Sequence, residues 1–182
     1  PIFDQQQRLS QMIAKQALRI DCIIQDTLNM VRNKETYPTQ LQLNQFIPTF
    51  LQEDLADVAQ QINYNIQDKM AITFDEAQLR QILINLLRNA IRHNVPAHAK
   101  IELNIYAHES NVRIDVRDFG SGVASQDLAY LFQPFFSTEI TGTGLGLYLS
   151  RSFCEANQAE LNYVEQKQGA CFRIECPHVA LN

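Results

Sequence analysis

Two amides and a guanidinium stand about one helical turn apart in Asn85-Leu-Leu-Arg-Asn89-Ala-Ile-Arg92-His93. That spacing puts Asn85, Asn89 and Arg92 on one face of a helix. An amide carbonyl is a neutral hard oxygen, suited to a Mg2+ ion that keeps several waters and takes phosphate oxygens as further ligands. Asn89 is the candidate ligand, and Arg92 can meet a phosphate directly. Taken alone, the same residues read as the solvated side of an amphipathic helix, with Leu86, Leu87, Ala90 and Ile91 turned mostly toward the core.

A second group, Asp118-Phe-Gly120-Ser-Gly122-Val123, directly follows a strand-like segment. A carboxylate there can accept a hydrogen bond from an exocyclic amine, and the glycines let backbone approach a flat ring. Facing the amine of adenine, Asp118 would reject guanine, whose carbonyl would set acceptor against acceptor. In isolation the segment is equally an Asp-Gly turn. A third group, Phe132-Gln-Pro134-Phe135-Phe136-Ser137-Thr138, sets three aromatics around one proline. They can anchor a loop that closes over a ligand, or simply be core. The fourth, Gly142-Thr143-Gly144-Leu145-Gly146, opens a helix. Glycines before a helix N-terminus expose N–H groups, and the helix dipole favours an anion such as a di- or triphosphate. No Lys-Ser or Lys-Thr follows, which separates it from the P-loop. Each signal is modest; their joint order is the stronger observation.

The elements that must hold these groups follow from periodicity. The 182 residues carry 46% hydrophobic and 19% charged side chains with a net charge of −5, enough for one full domain plus an appendage. Acids and bases alternate without a basic cluster, so neither nucleic acid nor membrane contact is expected. The longest apolar run, Ile82 to Leu87, is broken by Asn85 and far too short to span a bilayer. Cys22, Cys154, Cys171 and Cys176 form no CxxC pair and read as reduced thiols.

From Leu9 to Val31 apolar residues recur at helical spacing, giving a long amphipathic helix with a narrow seam that needs a partner. Asn33 to Pro38 is a polar break. Short strands are expected over Gln40–Leu43, Ile62–Ile66 and Ala71–Phe74, with a helix capped by Asn44 and running to about Gln60. Asp75 and Gln78 resemble a capping box opening a helix through His93. Lys100–Ala107 and Val112–Arg117 should form a hairpin. Helices over Asp127–Phe132 and Leu145–Asn157 and strands over Glu160–Glu165 and Ala170–Cys176 complete the pattern. Strands in one mixed sheet with helices against it give a two-layer α/β (α+β) sandwich.

In this order the four groups resemble the conserved boxes of the sensor histidine kinase ATP-binding domain. That domain sits within the superfamily (the Bergerat fold) shared with gyrase, Hsp90 and MutL. The resemblance covers roughly Leu41 to Pro177. It implies that Asn89 holds Mg2+, Asp118 reads adenine, Gly142 to Gly146 wrap the phosphates of ATP or ADP, and residues 123–143 form a lid. Asn85, Arg92, His93, Gly120, Gly122, Val123, Phe132, Ser137, Thr138, Gly142, Thr143, Gly144, Leu145 and Gly146 would complete the ATP site. Arg8-Leu-Ser-Gln-Met-Ile and Arg19-Ile-Asp-Cys look like the second helix of the dimerisation and phosphotransfer hairpin. The division is therefore 1–34 for that partial hairpin and 35–182 for the catalytic domain. Gly144-Leu-Gly-Leu-Tyr-Leu-Ser-Arg and the segment from Cys154 to Leu161 are similar to the sensor kinases of type IV pilus expression.

The resemblance further implies a homodimer in the full protein, a cytoplasmic domain of an inner-membrane protein, and an NtrC-like response regulator controlling type IV pilus genes. The chain opens on Pro1, and the phosphoacceptor helix is expected before it. His93, His98, His108 and His178 all lack the family's phosphoacceptor surroundings. Asn85 stands where hydrolytic members of the superfamily place a glutamate, and an amide cannot serve as general base for water. Two positions depart from the pattern. Glu139 replaces a common lysine after Ser137-Thr138, and Ala170 replaces a usual Thr or Ser. A nucleotide-binding interaction module with little transfer activity is the alternative those departures leave open.

Overall fold

The computed structural model describes residues 35–67, 69–95, 100–139 and 142–179, together with Met12, Ile13, Gln16, Ala17 and Ile20. Those five positions are helical and exposed. The rest of the helix expected over 9–31, with Cys22 and His98, lies outside the described residues.

Alternating side chains build the sheet. Ile101, Leu103 and Ile105 lie on strand β4 (Ile101–His108), and Val112, Ile114 and Val116 on β5 (Asn111–Arg117). Phe172, Ile174 and Cys176 lie on β7 (Cys171–Val179). All nine are buried, on the one face that a period of two dictates. Register sets Ile105 opposite Ile114, and Ile114 opposite Ile174. The remaining strands are β1 (Thr39–Gln42), β2 (Ile62–Ile66), β3 (Ala71–Phe74) and β6 (Glu160–Val164). The order is β1-β3-β7-β5-β4-β2, with β6 also paired to β7. Among the described strands only β2 with β4 runs parallel, so the sheet is mixed, as expected.

Three helices cover the apolar face: α1 (Leu43–Asp54), α2 (Glu76–His93) and α3 (Gly146–Ala156). In α2 the buried set Leu79, Ile82, Leu83, Leu86, Leu87 and Ala90 falls at helical spacing. Each fully buried leucine or isoleucine there contributes about 1.5–3 kcal/mol. α3 packs on α2 and β6. The helices thus form one layer and the sheet the other.

Local chemistry differs from expectation at three places. Asn44 does not cap α1; the cap is Gln42, two residues earlier, and the helix stops at Asp54 rather than near Gln60. A 3-10 turn, Ala59–Gln61, occupies the remainder. The helix expected over 127–132 is a 3-10 turn at Leu128–Tyr130. Too short to bury an apolar stripe, it gains nothing from full α-helical winding.

The capping box is the third. Asp75 Oδ1 accepts from the Gln78 N–H at 3.1 Å, but Gln78 does not reach back. Instead Asn157, at the end of α3, accepts from the Asp75 N–H at 2.7 Å and donates to Gln78 Oε1 at 2.7 Å. One buried amide therefore closes the box and pins the start of α2 to the end of α3. Asp75 Oδ2 also accepts from the Tyr37 N–H at 2.9 Å, tying the segment before β1 to the same point. Asn157→Ala should strand buried partners and lower stability by about 2–4 kcal/mol, read as a reduced thermal midpoint.

The opposite sheet face is polar. Arg113 pairs with Glu175 at 3.0 Å, and Arg173 with Asp115 at 2.7 Å. Cys171 is buried on the same face of β7 as Arg173 and Glu175, while Cys154 and Cys176 lie in the core. All three are free thiols. Burial pushes Cys171 and Cys176 up to about 12 and Cys154 higher still, so these thiols stay protonated and unreactive. Among the described residues no helix is long and apolar enough to cross a membrane.

Candidate functional site

Asp118 directly follows β5 and is almost completely buried, 4% exposed. Its Oδ1 accepts from the N–H groups of Gly120 at 2.8 Å and Ala170 at 3.0 Å. Two backbone donors fix the carboxylate plane, and Oδ2 has no hydrogen-bond partner among the described residues. A buried acceptor held rigid on one side and unengaged on the other suits a ligand N–H. Ala170 needs no side chain for this: its carbonyl also accepts from the Asp118 N–H at 3.0 Å.

Two neighbours shape this corner without any signal singled out in the sequence. Asn94, which ends α2, accepts from the Phe119 N–H at 2.9 Å. Gly169 sits at φ +78°, and a Cβ there would collide with the Asp118 carbonyl oxygen. Only glycine takes that backbone conformation and proximity together. An asparagine just past a helix end and a glycine before a strand are each recognisable stop signals. Neither says what it touches.

The glycine segment meets the aromatic one. Gly144 sits at φ +69°, and its Cα faces the Phe135 carbonyl group and the Phe136 nitrogen so closely that no Cβ fits. The Leu145 N–H is taken by the Thr143 hydroxyl at 3.3 Å, and the Leu145 side chain is core at 1% exposure. Leu145 therefore anchors α3 rather than facing a ligand. Among the aromatics, Phe132 packs edge-on against Phe172 with centroids 6.4 Å apart, and Phe136 lies by Tyr130 at 5.7 Å. Of the three phenylalanines Phe135 alone is exposed, at φ +65°. Val123 packs partly buried against the core.

The α2 face splits three ways. Asn85 leans on α3, donating to Ser150 Oγ at 2.9 Å with its Oδ1 against Gly146. Asn89, half-buried, makes no hydrogen bond or ion pair with a described residue. Arg92 and His93 reach Glu139 of the lid, at 2.9 and 3.2 Å. The His93 carbonyl lies directly against Gly120. Contacts thus join all four segments around one corner. Thr138 is exposed and bonded to none of them.

A cleft of about 210 Å³ flanks the lid, lined by Phe132, Tyr148, Arg151, Ser152 and Glu155. Arg151 is already paired with Glu155 at 3.2 Å, so this cleft offers no unpaired cation to a polyphosphate. The Asp118 corner and the α2 face are the better site.

Comparison with known proteins agrees with this geometry. Residues 74–180 match the family described as histidine kinase-, DNA gyrase B-, and HSP90-like ATPases. Sensor protein kinase PilS of Pseudomonas aeruginosa is 36% identical over 179 residues, covering 94% of this chain and 34% of its own length. The chain thus spans about a third of that relative. The catalytic domain of the histidine kinase ThkA superposes with a TM-score of 0.68 at 25% identity, covering 78% of this chain and 95% of that one. Full-length ShkA, solved in complex with AMPPNP, gives a TM-score of 0.74 at 25% identity, covering 88% of this chain and 36% of that one.

Proposed function

The chain belongs to the histidine kinase-, DNA gyrase B-, and HSP90-like ATPase family, as the ATP-binding catalytic domain of a sensor histidine kinase, and from that premise we propose that it positions Mg-ATP for phosphoryl transfer to a histidine. The carrying observation is Asp118, buried, anchored through Oδ1 by two backbone N–H groups and open at Oδ2. Adenine donates its exocyclic amine to that oxygen. The phosphates extend toward Gly142–Gly146 and the α2 face.

Asn89 suits the metal. Among the described residues its amide has no partner, and no group of three or more His, Cys, Asp or Glu side chains is placed to hold an ion. A neutral oxygen plus phosphate oxygens and water is the ligand set Mg2+ accepts. The ion, when bound, supplies charge neutralisation on the phosphates. In the transfer, the acceptor imidazole nitrogen bonds to the γ-phosphorus as the bond to the bridging oxygen breaks, and ADP leaves. Asn85, engaged with Ser150, supplies no base to activate water, which favours transfer over hydrolysis.

We assign residues 1–34, most of them outside the described residues, to the dimerisation hairpin and 35–182 to the catalytic domain. The phosphoacceptor helix belongs to the same protein, a homodimer in its full form and set in the inner membrane. Its response regulator is proposed to be NtrC-like, and likeness to PilS suggests type IV pilus genes as the target. The reading is tested by calorimetry: Asn89→Ala should cut the affinity for Mg-ATP about tenfold to a hundredfold and leave metal-free binding nearly unchanged. Equal losses with and without Mg2+ would remove Asn89 as the ligand.

The engagement of Arg92 and His93 by Glu139 favours one second reading, a nucleotide sensor with little transfer activity. Adding a phosphoacceptor-containing helical domain and following labelled phosphate decides it: transfer at ordinary kinase rates sinks the sensor.

A further inference from the structure

Glu139 joins three parts of the site. Its carboxylate spans two side chains at the end of α2, Oε2 to Arg92 Nη1 at 2.9 Å and Oε1 to His93 Nε2 at 3.2 Å. Its backbone is tied on the other side: the Glu139 N–H donates to Ser137 Oγ, which in turn donates to the Glu139 carbonyl, both at 3.1 Å. The same carbonyl accepts from the Gly142 N–H at 3.3 Å. The lid, the glycine segment and α2 therefore share one residue.

Two carboxylate oxygens on an arginine and a histidine reproduce the way a phosphate presents two oxygens to the same donors. Glu139 is three-quarters covered, at 25% side-chain exposure, whereas Arg92 and His93 are about half exposed, at 53% and 52%. The cations remain accessible to an incoming anion from the solvent side. His93 adds an ion pair only when its ring is protonated, whereas the Arg92 guanidinium is always charged.

Building on the Mg-ATP reading above, we propose that Glu139 is an internal competitor for phosphate: its carboxylate latches the lid to Arg92 and His93, and nucleotide phosphate must displace it to reach them. Because the Glu139 carbonyl also holds Gly142, releasing the latch frees the glycine segment to close on the phosphates. The latch sets nucleotide affinity below what the same site would reach without it.

The test is titration calorimetry of Mg-ATP into four proteins: wild type, Glu139→Gln, Arg92→Gln, and the double variant. Glutamine matches glutamate in size and Glu139 is not part of the core, so the variant should keep its fold, and thermal unfolding verifies that. Glu139→Gln should bind about threefold to tenfold more tightly than wild type, the scale of an exposed charge-assisted pair. The gain should shrink as salt rises and vanish in the Arg92→Gln background. A gain that persists without Arg92 would mean plain repulsion between Glu139 and the nucleotide, and would overturn the latch. So would unchanged or weaker binding by Glu139→Gln when wild type binds normally. No binding by any of the four overturns the Mg-ATP reading itself, and the latch with it.

Discussion

Asp118→Asn is expected to lower ATP affinity about a hundredfold while barely changing stability. Asp118 Oδ1 already takes two backbone N–H groups, from Gly120 and Ala170. An asparagine must keep its oxygen there, because turning its amine toward two donors would leave both buried and unpaired. The amine then occupies the Oδ2 position and meets the adenine amine, donor against donor. The lost charge-assisted hydrogen bond alone is worth about 1.5–3 kcal/mol, and the clash adds to it. Stability should fall by only about 1 kcal/mol, because both backbone bonds survive with a neutral acceptor. Asp118→Ala should differ in kind, losing affinity and stability together as two buried N–H groups lose their partner. The same reversal turns the pocket toward guanine, whose carbonyl oxygen accepts from the new amine. Calorimetry with ATP and GTP, beside thermal unfolding, reads all of this. An asparagine variant that kept wild-type ATP affinity would show that Asp118 does not face the base.

Much of this layout was legible because it rests on local periodicity. Ile101, Leu103 and Ile105 alternate with polar residues on β4, and Leu79 to Ala90 fall on one side of α2; short-range patterns of that kind follow from side-chain geometry. The contacts that lock the site do not. Asn157 is 82 residues from the Asp75 N–H it accepts from, and Glu139 is 47 residues from Arg92. No spacing rule connects such pairs. Local preference also misplaced an end: Asn44 is a favoured capping residue, yet α1 begins after Gln42, where the Leu43 N–H donates to the Met70 carbonyl at 2.9 Å. A tertiary hydrogen bond satisfies a donor that a cap would otherwise serve. At Glu139 the residue type was informative and its partner was not. An acid among phosphate-binding candidates reads as a defect until the structure shows which cations it holds.

Gly144→Val is expected to remove most ATP binding, by about a hundredfold or more, with a modest loss of stability. Gly144 lies at φ +69°, where an L-residue costs about 1–2 kcal/mol and a β-branched one more. Its Cβ would also fall within 2.7 Å of the Phe135 carbonyl oxygen and the Phe136 nitrogen. Neither neighbour yields readily, since Phe135 is itself at φ +65° and Phe136 is held beside Tyr130. The glycine segment must therefore move, taking with it the N–H groups that would face phosphate ahead of α3. α3 should survive, because Leu145, Leu149 and Phe153 are buried on the core at 1%, 6% and 4% exposure. The expected signature is a nearly native circular dichroism spectrum, a thermal midpoint lowered by a few degrees, and ATP binding lost. Gly144→Ala, with the same conformational strain but a smaller side chain, should fall between. Wild-type affinity in the valine variant would show that phosphate contacts do not depend on this backbone. Loss of helix together with binding would instead place Gly144 among the residues that hold α3 in the fold.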